Sequence, residues 1–201
     1  MYQVRHRTHA TDRTHALIWA AKKKSGLGAA LVFTGPGIPM LFQGQEFLED
    51  DWFHDKDPLD WSKKTRYAGM LALYRDLIAL RLNRHGNTAG LCGQGVDVFH
   101  VDQEHKILAC HRWDQGGPGD SVVVAVNFST HPHEDVVLAF PRAGDWHVRF
   151  NSDSAAYDPD FGDAGPKRVR AETAEDEDNG AIRGVLTLPP YSALILSQDP
   201  E

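Results

Sequence analysis

The sequence predicts a mainly β protein, with a C-terminal antiparallel β-sandwich preceded by helices and one strand. Three observations carry this. Beyond Asn87 the chain breaks into short alternating runs separated by turn clusters such as Gln115-Gly116-Gly117-Pro118-Gly119-Asp120, the pattern of an antiparallel sandwich. Before Gly86 the apolar residues recur with helical spacing. Between the helical stretches, one short apolar run, Ile38 to Gln43, is fenced by Pro36, Gly37, Pro39 and Gly44, as a buried parallel strand would be. The change of character falls between Gly86 and Leu91, so the expected units are residues 1–87 and 88–201.

Length and composition fit this architecture. The chain has 201 residues, 41% hydrophobic and 24% charged, enough for one large or two modest units. Its net charge of −7 argues against nucleic acid or an anionic membrane as partner. No run is long enough to span a bilayer, and the basic start Met1 to Arg7 lacks the apolar segment of a secretory signal, so the expected location is cytoplasmic. Cys92 and Cys110 stand outside any CxxC pattern and read as small hydrophobes.

Along the chain, residues Thr11 to Lys24 read as a helix, with Thr11 or Asp12 as N-cap and Lys22-Lys23-Lys24 against its negative end. Ser25-Gly26 then acts as a breaker, and Leu27 to Phe33 continues as a buried helix stopped by Gly35-Pro36. After the strand at Ile38 to Gln43, the loop from Gly44 to Trp61 interleaves Glu46, Glu49, Asp50, Asp51, Asp55, Asp57 and Asp60 with Phe47, Trp52, Phe53 and Trp61. Rings can stack on sugar faces and carboxylates can accept from hydroxyls, so the loop suits carbohydrate; composition alone favours a solvated loop pinned by its aromatics, since aromatic anchors are common packing devices. From Ser62, a good N-cap, Tyr67, Met70, Leu71, Tyr74, Leu77 and Ile78 mark one face of an amphipathic helix ending near Leu82.

The strands follow at Val96 to Val101, Lys106 to Trp113, Ser121 to Phe128, Asp135 to Phe140, Trp146 to Asn151, Val185 to Leu188 and Tyr191 to Leu196. Their aromatics, Phe99, Trp113, Phe128, Trp146 and Phe150, are expected in the core. The stretch from Asp153 to Gly184 reads as irregular, its acidic run Glu172 to Asp178 as a solvated loop.

Metal and catalytic patterns are weak. His6, His9, Asp12 and His15 read as a polar terminus rather than a metal site, and His131-Pro132-His133-Glu134 as a hairpin tip rather than a zinc site. Asp158-Pro159-Asp160-Phe161-Gly162-Asp163 fails as a calcium loop, because Val169 stands where a twelfth-position glutamate is required. There is no GxSxG elbow, P-loop or HExxH, and a single barrel-like strand cannot present a pair of catalytic carboxylates. No metal and no cofactor are expected.

The run Pro36-Gly37-Ile38-Pro39-Met40-Leu41-Phe42-Gln43-Gly44-Gln45-Glu46-Phe47 resembles the eighth-strand signature of the α-amylase superfamily of glycoside hydrolases. Gly44-x-Glu46-Phe47, Trp52, His54-Asp55 and Leu59-Asp60-Trp61 resemble most closely the 1,4-α-glucan (glycogen) branching enzymes. Asn151-Ser152-Asp153-Ser154 with Tyr157, and Leu186-Thr187-Leu188-Pro189-Pro190-Tyr191-Ser192-Ala193-Leu194, are similar to that family's C-terminal domain. The resemblance implies that residues 1–87 are the end of a (β/α)8 barrel and residues 88–201 an all-β domain, with α-glucan as the partner of the complete enzyme.

It also implies what to expect of activity. The family's nucleophilic aspartate, acid/base glutamate and second aspartate lie on the fourth, fifth and seventh barrel strands, motifs that would precede residue 1. The chain is therefore expected to be a C-terminal piece with no catalytic residue, inactive alone. Glu46, Trp52, Asp60 and Trp61 are the candidate substrate-binding residues near the barrel mouth. A fragment of an amylase-type hydrolase and a free-standing glucan-binding sandwich are the alternatives. With the barrel absent, its apolar elements would be exposed, and dimerisation or element exchange through residues 13–82 is expected.

Overall fold

The computed structural model describes residues 3–51, 56–174 and 180–201, and in the first helix the side chains from residue 14 onward. The first element is one uninterrupted helix, α1 (Gln3–Thr34), not two. Ser25-Gly26 does not break it. Gly26 is buried where α1 crosses a later helix, and a Cβ there would meet the Leu73 side chain at 3.1 Å. The glycine serves close packing, and tertiary contact outweighs its poor helix propensity. Lys22, Lys23 and Lys24 consequently sit in mid-helix rather than at its end.

The amphipathic stretch after Ser62 forms a short turn of helix, α2 (Lys63–Arg66), and then α3 (Ala68–Arg81), separated at Tyr67, whose backbone leaves helical geometry. Met70, Leu73, Tyr74, Leu77 and Leu80 are the buried face of α3. Residues 38–43 do not pair as a strand. Ile38 and Met40 are 97% and 84% exposed, and the segment runs without ladder partners. A parallel strand is held by neighbours on both sides, and the described residues provide none for it.

Eight strands follow: β1 (Gly95–Asp102), β2 (Ile107–Trp113), β3 (Val122–Asn127), β4 (His133–Ala139), β5 (Gly144–Asn151), β6 (Arg168–Thr173), β7 (Ile182–Leu188) and β8 (Ser192–Ser197). They form one antiparallel sheet in the order β1-β2-β3-β8-β5-β6-β7-β4. β6 pairs with β5 through residues 168–171 and with β7 through 172–173, so the sheet turns there and lays β7 and β4 over β2, β3 and β8. Part of the expected irregular stretch is thus strand. β6 escapes sequence reading because only the small residues Val169 and Ala171 point inward between charged neighbours.

The layers are visible in the alternation of the two central strands. Val123, Ala125, Leu194 and Leu196 face the sandwich interior with Trp146, Leu138 and Leu186, whereas Val122, Val124, Val126, Ala193 and Ile195 face α1 and α3. Trp146 and Phe150, which simple alternation puts on one face, are in different cores. A bulge between Val148 and Phe150 moves Phe150 opposite Ile195 and onto the helical side. Phe99 and Trp113 are half-buried and Phe128 is 39% exposed, so of the five strand aromatics two are fully inside.

Candidate functional site

The loop carrying the candidate residues is stapled at its base by Glu49. Gly44 takes a left-handed turn (φ 81°), and Gln45–Phe47 form one turn of 3-10 helix. Glu49 then accepts the amide N–H groups of Asp50 (3.0 Å) and Asp51 (3.2 Å) on one oxygen and that of Asp60 (2.7 Å) on the other. Lys63, buried at the start of α2, donates to Glu49 and, at 2.5 Å, to Asp50. The Lys63 ammonium holds the Glu49 carboxyl down to about 2, with the backbone donors assisting against partial burial; in return the carboxylates of Asp50 and Glu49 raise the pKa of Lys63. With its pKa held that low, Glu49 is ionised at neutral pH and unsuited to act as a general acid.

The candidate residues lie around this staple. Glu46 is half-buried on the 3-10 turn. Asp60 accepts the Ser62 amide at 3.0 Å, and the hydroxyl and amide of Ser62 lower its pKa. Trp61 is 62% exposed and packs on buried Phe47, ring centroids 5.4 Å apart. Trp52, together with His54 and Asp55, lies outside the described residues. Beside the loop, a cleft of about 370 Å³ runs along α1, lined by Ile18, Lys22 and Ser25 on the helix, by Phe42, Gln45, Glu49 and Asp50 on the loop, and by Tyr67. Of the named candidates, Glu46, Asp60 and Trp61 are not among its lining residues. Gln45, Glu49 and Tyr67, which sequence reading did not single out for binding, are.

Among the described residues, Glu49, Asp50 and Asp51 are the one grouping with three ligand atoms within 4.8 Å of one another, and Lys63 already compensates their charge. Among the described residues, the loop and cleft offer carboxylate acceptors, the cations Lys22 and Lys63, and aromatic surface.

The helical layer that carries this loop is fastened to the β layer by buried polar contacts. Lys23, 1% exposed, ion-pairs with Asp153, 2% exposed, which also accepts the amides of Gly162 (3.2 Å) and Ala164 (3.1 Å). The Lys23 ammonium lies 5.0 Å from the Phe161 ring centroid. Burial lowers its pKa, and the hydrogen bond and charge of Asp153 oppose the shift. Next to it Lys22 reaches Asp158 at 2.6 Å. Tyr157 donates to Asp76 of α3 at 2.7 Å, and Gly69 passes so close to the Tyr157 carbonyl that a Cβ would lie 2.0 Å from it.

Two arginines close the end of α1. Arg112, fully buried on β2, donates to the carbonyls of Thr34, Gly93 (2.6 Å) and Gly95 (2.8 Å); Arg81 donates to those of Gly35 (2.8 Å) and Gly37. Orphan carbonyls at a helix C-terminus favour such cationic donors. The two sequence segments that signalled the family meet here as structure. Ser152 exchanges hydrogen bonds with Ala193 (2.9 and 3.1 Å), and Tyr191 in the Pro-Pro-Tyr turn lies 4.7 Å beneath the Lys24 ammonium.

Residues 99–199 match the family described as alpha amylase, C-terminal all-beta domain. The 1,4-alpha-glucan branching enzyme GlgB of Rhizobium meliloti is 33% identical over 170 residues, covering 82% of this chain and 22% of that protein. The Rhodospirillum rubrum enzyme of the same name is 32% identical over 180 residues, 84% of this chain and 23% of its own. The chain thus spans about a quarter of the length of the curated relatives it matches. Among solved structures, pullulanase type I of Bacillus subtilis has the same fold over 90% of this chain and 24% of its own, with TM-score 0.58 and 13% identity; pullulanase of Anoxybacillus sp. LM18-11 covers 90% and 23%, with TM-score 0.55 and 19% identity. The chain belongs to the α-amylase C-terminal all-β domain family.

Proposed function

We propose that this chain is the C-terminal portion of a 1,4-α-glucan branching enzyme, with residues 1–87 the end of the catalytic barrel and 88–201 its all-β domain. Identity of 32–34% to branching enzymes over more than four-fifths of the chain carries this reading. In the complete enzyme an aspartate displaces the glucan at the anomeric carbon, forming a glycosyl-enzyme, and a hydroxyl of another glucan strand resolves it. The residues for those steps are supplied by other parts of the protein.

This chain contributes a stapled loop whose acceptors and rings meet outlying sugars. Glu46, Asp60 and Trp61 are the contacts, with Trp52 completing the set. Glu49, ionised at neutral pH, and its lysine support this role, because they fix the loop in one shape before sugar arrives.

We place the chain in the cytoplasm, the compartment expected of a glycogen branching enzyme. Among the described residues no helix is long and apolar enough to cross a membrane. Taken alone, the chain associates through residues 13–82, where Leu17, Ile38, Met40 and Phe42 are exposed. Incubating the purified chain with amylose tests the first claim: neither chain transfer nor hydrolysis above background is expected, and either would overturn it. Light scattering tests the second, and a monodisperse monomer would refute it.

A further inference from the structure

A buried hydroxyl without a hydrogen-bond partner stands beside the cleft between α1 and the 44–61 loop. Tyr74, on α3, is 1% exposed, and its ring meets that of Phe33 edge to face with centroids 6.2 Å apart. Among the described residues its hydroxyl makes no hydrogen bond. Burial raises the Tyr74 pKa, and the Glu46 charge adds to the rise; Ser25 and Gln45 oppose it as neighbours, without reaching bonding geometry. Both of those neighbours line the cleft. An unpaired buried hydroxyl costs free energy and is rare in a folded chain, so one set against a cavity marks a place for an incoming polar atom.

The polar groups of the cleft are of two kinds. The charged ones already have partners: Lys22 reaches Asp158 at 2.6 Å, and Lys63 pairs with Glu49 and Asp50. The neutral ones retain capacity. Gln45 Oε1 accepts the Phe42 amide N–H at 3.3 Å, which fixes the orientation of the side-chain amide and leaves its Nε2 N–H groups to donate. Ser25 and Tyr74 each contribute a hydroxyl that can donate or accept. Ile18, Ala21 and Leu48 supply apolar wall beside them. Neutral donors and acceptors set among apolar carbon match a polyhydroxylated ring, whose hydroxyls exchange hydrogen bonds while its C–H groups meet the wall. At about 370 Å³ the cleft lies at the small end of ligand pockets, room for about one or two rings rather than a long strand.

We propose that this cleft binds a hexopyranose unit, with the Tyr74 hydroxyl, Ser25 Oγ and Gln45 Nε2 hydrogen-bonding its hydroxyls. That the unit is the end of an α-glucan strand rests on the reading of the protein as an α-glucan enzyme; the cleft's preference for a neutral polyol does not.

Titrating the full chain with maltose, with chemical shifts followed residue by residue by NMR, tests this. Ser25, Gln45 and Tyr74 are expected to shift together and saturably. Tyr74→Phe keeps the ring and removes the hydroxyl, so binding should weaken about fivefold, as for one lost hydrogen bond. Its urea midpoint should stay the same or rise, because the unliganded hydroxyl has no partner to lose. Ser25→Ala should also weaken binding and leave the fold intact, alanine being the better helix former. Cellobiose, the β-linked isomer, separates the cleft from the parent's substrate: equal binding there supports the hexopyranose site and sinks the α-glucan assignment. The inference is overturned if maltose shifts none of the three residues, or shifts only Asp60 and Trp61. It is equally overturned if Y74F binds maltose as tightly as the parent, or if Y74F has the lower urea midpoint of an enzyme that lost a hydrogen bond.

Discussion

Replacing Lys23 with Met tests whether the two layers are held by a buried ion pair. Methionine has nearly the length and volume of the lysine stem, so packing against Phe161 survives and the charge alone is removed. Asp153 then keeps its two amide donors but loses Lys23, its one counterion among the described residues, at a position 2% exposed. Leaving one partner of a buried pair uncompensated costs about 3–5 kcal/mol. For a chain of this size that is a fall of about 10 °C in Tm, at about 2–4 °C per kcal/mol.

The double variant K23M/D153N separates charge from shape. It removes the stranded carboxylate but turns an amide NH₂ toward one of the N–H donors, so about 1–2 kcal/mol should remain lost. Urea denaturation followed by circular dichroism measures all three proteins. If K23M lies within about 1 kcal/mol of the parent, or the double variant is as unstable as K23M, the pair does not hold the layers as argued.

Two further substitutions probe the other fastenings. Arg112→Lys should cost about 2 kcal/mol, because a single ammonium cannot reach the three carbonyls that the guanidinium fork serves; a urea midpoint unchanged from the parent would contradict this. The loop staple predicts a pH response. Glu49 is lowered to about 2 from an unfolded value of 4.5, so its contribution is complete above 4.5 and is lost as the pH falls through the folded value. The Trp61 emission, taken as the difference between the parent and W61F, should change in that window, and E49Q should abolish the change.

The family motifs have a physical meaning that differs from the one a site would give them. Asn151 to Ser154 and the Pro-Pro-Tyr turn carry no exposed chemistry. They are the receiving surface for α1, where Asp153 takes Lys23 and Tyr191 takes Lys24. A buried pair contributes little net stability once desolvation is counted, but it penalises any docking that separates its members. Its use here is to set one position of the helix on the sheet, and with it the position of the loop that α1 flanks.

Local pattern was enough for the strands β2, β3, β5 and β8 and for the buried face of α3, because alternation and helical spacing are written in neighbouring residues. The family was legible too, through residue types at fixed spacing. Tertiary structure alone decided the rest. It kept α1 whole through Gly26, since helix crossing rewarded the missing side chain. It kept residues 38–43 out of the described sheet, since a strand exists only with its neighbours. It chose Glu49 and Lys63, rather than the aromatics, to fix the loop, and it brought Ser25 and Gln45 beside the buried Tyr74 hydroxyl. Each of these depends on groups distant in sequence meeting in space, where burial and lost solvation set the strength of a charge or a hydrogen bond, and no pattern along the chain encodes that meeting.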